Sequence, residues 1–254
     1  MTRDESTIVV GANGLIGSRT VGALLERQAL PICVDLGPSP SIAVRGAFEN
    51  AKREPVYFET NVCEGAEMQK LISALRTEFP GASSVVNVAY PRLPTFGRSP
   101  FVQDSSAFAA NVAFHLAAYF NVFKEFGAYF ADKGGGKVIS FSSIYGFFLP
   151  RPELYAGTDM TVSAEYVAAK AAIIQLNKYY AKLYRAKGVS FNSISPGGIF
   201  DNQNPAFVRR YGQHTSSGSL LSVSPVVNAI LFLLSDMATA ITGQNLVVDE
   251  GFTL

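Results

Sequence analysis

Thr7-Ile8-Val9-Val10-Gly11-Ala12-Asn13-Gly14-Leu15-Ile16-Gly17 is the stretch on which the fold of this 254-residue chain turns. Four β-branched residues in succession read as a strand over Thr7–Val10. Glycines at positions 11, 14 and 17 follow, and the pattern is helical from about Gly14 to Gln28. A glycine turn between strand and helix permits close backbone approach, and the helix start offers unpaired N–H groups to a pyrophosphate. The spacing Gly-x-x-Gly-x-x-Gly differs from the usual dinucleotide fingerprint, so placement has to carry the reading. Asp35 supplies that support, eighteen residues beyond Gly17 at the end of a second strand, Ile32–Val34. An acid there hydrogen-bonds adenosine ribose hydroxyls and repels a 2′-phosphate, which favours NAD(H) over NADP(H).

Outward from this unit the chain alternates strand and helix. Val56–Phe58, Ser84–Val88, Lys137–Phe141, Val189–Ile194 and Asn245–Val248 read as further strands. Glu67–Glu78, Phe101–Tyr129, Glu165–Ala186 and Val223–Ser235 read as helices, with Phe108, Val112, Leu116, Tyr119 and Phe123 at helical spacing. Such alternation implies right-handed crossovers and a doubly wound α/β fold: a parallel sheet of about seven strands with helices on both faces. No internal repeat or linker interrupts it, so residues 1–254 are expected to form a single domain.

The bulk numbers narrow the function. A formal charge of +1 gives no electrostatic case for nucleic acid or an anionic membrane. Hydrophobic content of 48% suits a sheet covered on both faces, whose strands are near-continuous apolar runs. No uninterrupted apolar run approaches the ~20 residues of a membrane span. Met1–Ser6 is polar and carries two acids, unlike a signal peptide, so a cytoplasmic location is expected. Cys33 and Cys63 lack metal-type spacing and read as buried reduced thiols; no metal is expected.

The chemistry concentrates at Tyr166-Val167-Ala168-Ala169-Lys170. Tyrosine and lysine four residues apart share a helix face. An ammonium there can draw a phenol pKa from about 10 toward the working range of a proton donor or acceptor, and reaching ~7 takes ~4 kcal/mol. Tyr129 and Lys133 repeat the spacing but run into Gly134-Gly135-Gly136, a helix end. Tyr166 instead follows a strand ending in Ser142-Ser143 and precedes one ending in Ser195-Pro196-Gly197-Gly198. Two segments past strand ends, Pro91–Pro100 and Asp201–Ser222, read as substrate-loop material. They hold Arg92, Arg98, Arg209, Arg210 and His214. Arg92, Arg98 and Arg151 are candidates for a substrate phosphate or carboxylate.

Gly11–Gly17, Asp35, Asn87-Val88-Ala89, Asn111, Ser143, Tyr166/Lys170, Pro196-Gly197-Gly198 and the ending Ile241-Thr242-Gly243 to Val248-Asp249-Glu250-Gly251 stand in one order. In that order they resemble the short-chain dehydrogenases/reductases over essentially the whole chain. The resemblance implies a Rossmann fold, bound NAD, and an interconversion of alcohol and ketone. Tyr166 would be the acid/base, Lys170 would lower its pKa and hold the nicotinamide ribose, and Ser143 would bond the substrate oxygen. Asn111 would anchor a water linking Lys170 to solvent. Cofactor contacts would come from Gly11, Asn13, Gly14, Leu15, Ile16, Gly17, Asp35, Asn61, Val62, Asn87, Ala89, Tyr166, Lys170, Pro196, Gly197 and Ile199. A homotetramer or homodimer through the two long helices and the last strand is also implied; the aromatic stretch Phe114–Phe130 is consistent with such an interface and equally with a core. Asn87-Val88-Ala89-Tyr90-Pro91-Arg92, Ser142-Ser143-Ile144-Tyr145-Gly146 and Ser195–Gln203 are similar to oxidoreductases of flagellin glycosylation and legionaminic-acid-type sugars, which implies a sugar-derived substrate.

The pattern departs from the family in places. Ser143 precedes Tyr166 by twenty-three residues rather than about a dozen, so Pro150–Ala164 reads as an insertion with Tyr155 in a loop beside the site. Asn61-Val62 replaces Asp-Val near the adenine, Asp201 stands near a usual threonine, and Tyr90 replaces a glycine after the fourth strand. Two other readings stay open: a catalytically silent NAD(H)-binding regulator or scaffold, and a nucleotide-sugar epimerase or dehydratase. The polarised Asn111/Ser143/Tyr166/Lys170 set speaks against the first. The length of the chain speaks against the second.

Overall fold

A computed structural model describes residues 6–254; Met1–Glu5, on which most of the leader-peptide reading rests, lie outside the described residues. The strands are β1 (Ser6–Val10), β2 (Leu30–Asp35), β3 (Val56–Glu59), β4 (Ala82–Asn87), β5 (Gly136–Phe141), β6 (Val189–Pro196) and β7 (Asn245–Val248). They form one sheet in the order β3-β2-β1-β4-β5-β6-β7. Every pairing is parallel. The order reverses between β1 and β4, and that switch point sets the place of the site.

The helices are α1 (Leu15–Glu26), α2 (Ile42–Asn50), α3 (Gly65–Glu78), α4 (Ser105–Asp132), α5 (Ala164–Tyr184), α6 (Pro205–Gly212) and α7 (Val223–Leu234). Alternate strand residues feed two cores. Ile8, Val10, Ile32 and Val34 pack under α3, α4 and α5 with Leu71, Phe123, Phe126 and Ile173. Val9, Cys33, Val86 and Ile139 pack under α1, α2 and α7 with Leu24, Phe48 and Ile230. A third cluster of Tyr145, Leu154, Phe207, Tyr211, Leu220 and Phe252 caps the carboxyl ends of the strands.

Two helices escape the sequence reading. α2 starts at Ser41, whose hydroxyl accepts the Val44 N–H. α6 lies inside Asp201–Ser222, read above as loop; Asn204 caps it, Pro205 opens it, and Phe207 and Tyr211 give it an apolar stripe. α4 is long and apolar enough, by length and composition, to cross a membrane. In this fold its stripe from Ala118 to Phe130 is buried against the sheet.

Candidate active site

One cavity of about 1100 Å³ opens at the switch point and runs from the β1–α1 turn to the β4–α4, β5–α5 and β6–α6 connections. Its cofactor end is built from backbone. Gly11 has φ +83°, and a Cβ there would meet the Ala89 nitrogen at 2.8 Å; a Cβ on Gly17 would meet the Gly11 carbonyl at 2.1 Å. Those two glycines are needed to bring strand, turn and helix together. Gly14 is different, because a Cβ there meets nothing closer than 3.5 Å. Its bareness answers to the cavity it lines rather than to its neighbours. The first N–H groups of α1 have no acceptor inside the helix, and Leu15, Ile16 and Gly17 line the cavity.

Asp35 lines the same end. Its carboxylate accepts N–H groups from Asn13 and Leu36, both at 2.8 Å. Asn13 does not offer its side chain to the cavity: Nδ2 donates to Ser39 O and Tyr57 Oη, and Oδ1 accepts from Ser41 N–H. Its work is to fix the loop around Asp35. Asn61 and Val62 line the wall nearby, with Asn61 Oδ1 accepting the Cys63 N–H. Cys63 also reaches this wall and is only half-buried, which corrects its reading as a core thiol. Asn87 is buried; its Oδ1 accepts the Ala89 N–H, and its Nδ2 has no partner among the described residues. Ala89, Pro196, Gly197 and Ile199 complete that wall. The bare turn, the free helix amides and the acid at the end of β2 fit a dinucleotide.

Ser143, Tyr166 and Lys170 come together on the wall of this cavity. Ser143 follows β5, and its Oγ accepts the Tyr145 N–H at 3.2 Å. Tyr166 and Lys170 lie one turn apart on α5, the ammonium 5.8 Å from the phenol ring centre. Lys170 Nζ donates to Phe141 O at 3.1 Å and Tyr119 Oη at 3.4 Å.

Burial raises the Tyr166 pKa above its usual value, and the Ser143 side chain facing it pulls the other way. Burial also drives the Lys170 pKa down, to about 7. Asn111 is buried on α4, absent from the cavity wall, and its Nδ2 donates to Thr95 Oγ1 and Ala107 O. None of the Lys170 hydrogen bonds reaches it.

The substrate end is aromatic. Tyr90 sits edge-on to Tyr166, centroids 5.9 Å apart, and narrows the cleft. Arg92 lies over the Tyr90 ring at 4.9 Å and lines the cavity, as does Asp201. Arg98 and Arg151 do not; Arg151 is spent over the Phe148 and Phe252 rings. Arg210 donates to the carbonyls of Leu154 and Ala156, and His214 packs on Phe252. Tyr155 stands beside the site in a 3₁₀ turn, Pro152–Tyr155, and its hydroxyl meets that of Tyr145 at 2.8 Å. Tyr145 and Tyr119 were not singled out as site residues in the sequence, although Tyr145 lies within the Ser142–Gly146 motif.

A family model described as enoyl-(acyl carrier protein) reductase matches residues 11–253. The chain is a short-chain dehydrogenase/reductase. As such it is an oxidoreductase acting on CH–OH groups. This dehydrogenase/reductase is 28% identical over 256 residues, the whole of both chains, to post-translational flagellin modification protein A of Campylobacter coli. It is 26% identical to cis-4-hydroxycyclohexanecarboxylate dehydrogenase of Sinomonas cyclohexanicum, over 98% of this chain and 97% of that one. Among solved structures it resembles a short-chain dehydrogenase from Leptospira borgpetersenii with bound NAD+ (TM-score 0.85, 27% identity, 99% of this chain and 93% of that one).

Proposed function

We propose that this dehydrogenase/reductase uses NAD(H) to interconvert a secondary alcohol and a ketone on a sugar or sugar derivative, in the making of surface glycans of the flagellin or legionaminic type. The observation that carries the redox reading is the meeting of Ser143, Tyr166 and Lys170 in one cavity with the α1 amides and Asp35. The dinucleotide would be held by the Gly11–Gly17 turn, by Asp35 at the ribose, by Asn61 and Val62 at the adenine, and by Asn87, Ala89, Pro196, Gly197 and Ile199 toward the nicotinamide. When bound, the nicotinamide supplies or accepts the hydride. Ser143 Oγ would hydrogen-bond the reacting oxygen and stabilise charge developing there. Tyr166 Oη would take the proton from the alcohol, or give it to the carbonyl oxygen. Lys170 would hold the ribose beside it, and Asn111 would serve through Oδ1, the one atom of its amide not already bonded. Asp35 would set the preference for NAD over NADP by opposing a 2′-phosphate.

Three observations support an oxygen-rich ring substrate. One relative is a flagellin modification protein and another is named for a six-membered ring alcohol. The Tyr145–Tyr155 pair spends one O–H on its mutual bond and keeps the other as a donor. Arg92 adds a cation for an acidic substituent. Exposed Phe120 on α4, Tyr179 and Leu183 on α5 and Val247 on β7 support a homodimer or homotetramer; its place of work in this reading is the cytoplasm. The test is NADH formation from NAD over free amino sugars, sugar phosphates and nucleotide-activated sugars, wild type against Tyr166→Phe. Turnover that disappears in the variant supports the reading. Tight NADH binding without turnover on any substrate favours the silent-binder alternative.

A further inference from the structure

Three consecutive residues of the β4–α4 loop are each caught by a different buried polar side chain. Thr95 Oγ1 accepts from Asn111 Nδ2 at 2.9 Å. The Phe96 ring stacks on the His115 imidazole with centroids 6.4 Å apart. The Gly97 N–H donates to Glu165 Oε1 at 2.8 Å. A fourth tie joins His115 Nδ1 to the carbonyl of Pro91 at 3.1 Å. Asn111 and His115 lie one turn apart on α4, and Glu165 lies in the first turn of α5, next to Tyr166.

All three are closed to solvent, at 1%, 1% and 0% exposure. Each leaves one polar atom with no hydrogen-bond partner among the described residues: Asn111 Oδ1, His115 Nε2 and Glu165 Oε2. Buried polar groups so sparsely bonded are expensive, and apolar packing would hold a loop just as firmly. Their presence here points to geometry rather than stability. The loop they hold is a wall of the cavity, where Tyr90, Arg92, Phe96 and Gly97 are all exposed to it. Gly97 adopts φ +85°, a left-handed turn that delivers its N–H to the carboxylate. At the other end, His115 stacks on Tyr119 at 5.5 Å, and Tyr119 accepts from Lys170. The loop is thus referenced to both Tyr166 and Lys170.

We infer that Asn111, His115 and Glu165 form a latch that fixes Pro91–Gly97 as the substrate-facing wall and so sets which substrates the site accepts. The inference rests on the oxidoreductase reading above. Glu165 is a positioning residue, since it acts through the Gly97 amide.

The experiment compares wild type, Glu165→Ala, Glu165→Gln and Glu165→Asp as full chains. Amide hydrogen exchange over residues 91–100, read by mass spectrometry, needs no substrate; steady-state kinetics and NADH affinity follow. In Glu165→Ala, exchange over the loop should quicken about tenfold and substrate KM rise about tenfold, with kcat and NADH affinity within about threefold. Glu165→Gln should restore both, because its amide oxygen still accepts the Gly97 N–H. If Glu165→Ala does not fold, Glu165→Asp, which withdraws the carboxylate from Gly97, should show the same quickening. Unchanged loop exchange in a folded Ala or Asp variant overturns the latch, as does a Gln variant no better than Ala. Quickened exchange in a protein that turns over no alcohol would leave the latch standing and remove the oxidoreductase reading.

Discussion

The Lys170 ammonium lies 5.8 Å from the centre of the Tyr166 ring and gives its hydrogen bonds elsewhere, to Phe141 O and Tyr119 Oη. Burial raises the Tyr166 pKa, and the Ser143 side chain opposes that rise. Alcohol oxidation needs the phenolate and ketone reduction needs the phenol. The oxidation rate should then climb with pH from 7 to 9, by up to about tenfold per unit, while reduction stays level across that span. Tyr166→Phe should lower both by roughly 10²–10⁴ while NADH binding persists. Stopped-flow or initial-rate measurements in both directions check this. An oxidation rate that falls over the same range would exclude Tyr166 as the base.

Asp35 carries charge and scaffold duty at once, because it accepts the Asn13 and Leu36 amides. Removing only the charge separates the two. Asp35→Asn keeps an acceptor for one amide and relieves the repulsion of a 2′-phosphate. The ratio of kcat/KM for NADP to that for NAD should rise by about tenfold, corresponding to ~1.4 kcal/mol. A ratio unmoved in a variant of normal thermal stability would place cofactor choice elsewhere.

The spare O–H of the Tyr145–Tyr155 pair makes a kinetic prediction of its own. Tyr155→Phe removes one hydroxyl and leaves the ring on Phe207. KM for an oxygen-rich sugar substrate should rise about tenfold, the worth of one hydrogen bond, with kcat little changed. A plain cyclic alcohol should show no such rise. Equal effects on both substrates would mean that the pair only supports the Leu154–Phe207 packing.

The sheet was legible because its signals are local. Thr7–Val10 and Val189–Ile194 are β-rich runs, and Gly11, Gly17 and Asp35 follow from a strand-turn-helix unit that dictates its own residues. α6 was less so, since Pro205–Gly212 is only eight residues long and its apolar positions, Phe207 and Tyr211, are too few to show a helical period beside Arg209 and Arg210. Ser143, Tyr166 and Lys170 were legible from order along the chain. Their electrostatics were not, because burial depends on Tyr90, Tyr119 and Phe141 arriving from three other elements. The ties of His115 and Glu165 to the loop were hidden for the same reason: Phe96 is nineteen residues from His115 and Gly97 sixty-eight from Glu165.

His115 gives the fold an acid-sensitive point. Burial and the nearby Lys170 hold its pKa down to about 3, against 6.5 in the ordinary state, with the Pro91 carbonyl opposing weakly. A histidine depressed in the folded chain binds its proton first when unfolded. Stability is therefore intact above about pH 6.5 and falls as pH drops toward 3, by about 1.4 kcal/mol per unit from this group. His115→Phe keeps a ring between Phe96 and Tyr119 but has nothing to protonate. Neutral-pH stability should fall, since the Pro91 tie is lost, yet the gap to wild type should narrow as the solution is acidified to pH 4.5. Urea unfolding at pH 7.5, 6 and 4.5 measures that gap directly. A gap that stays constant would show that protonation of His115 does not drive acid unfolding.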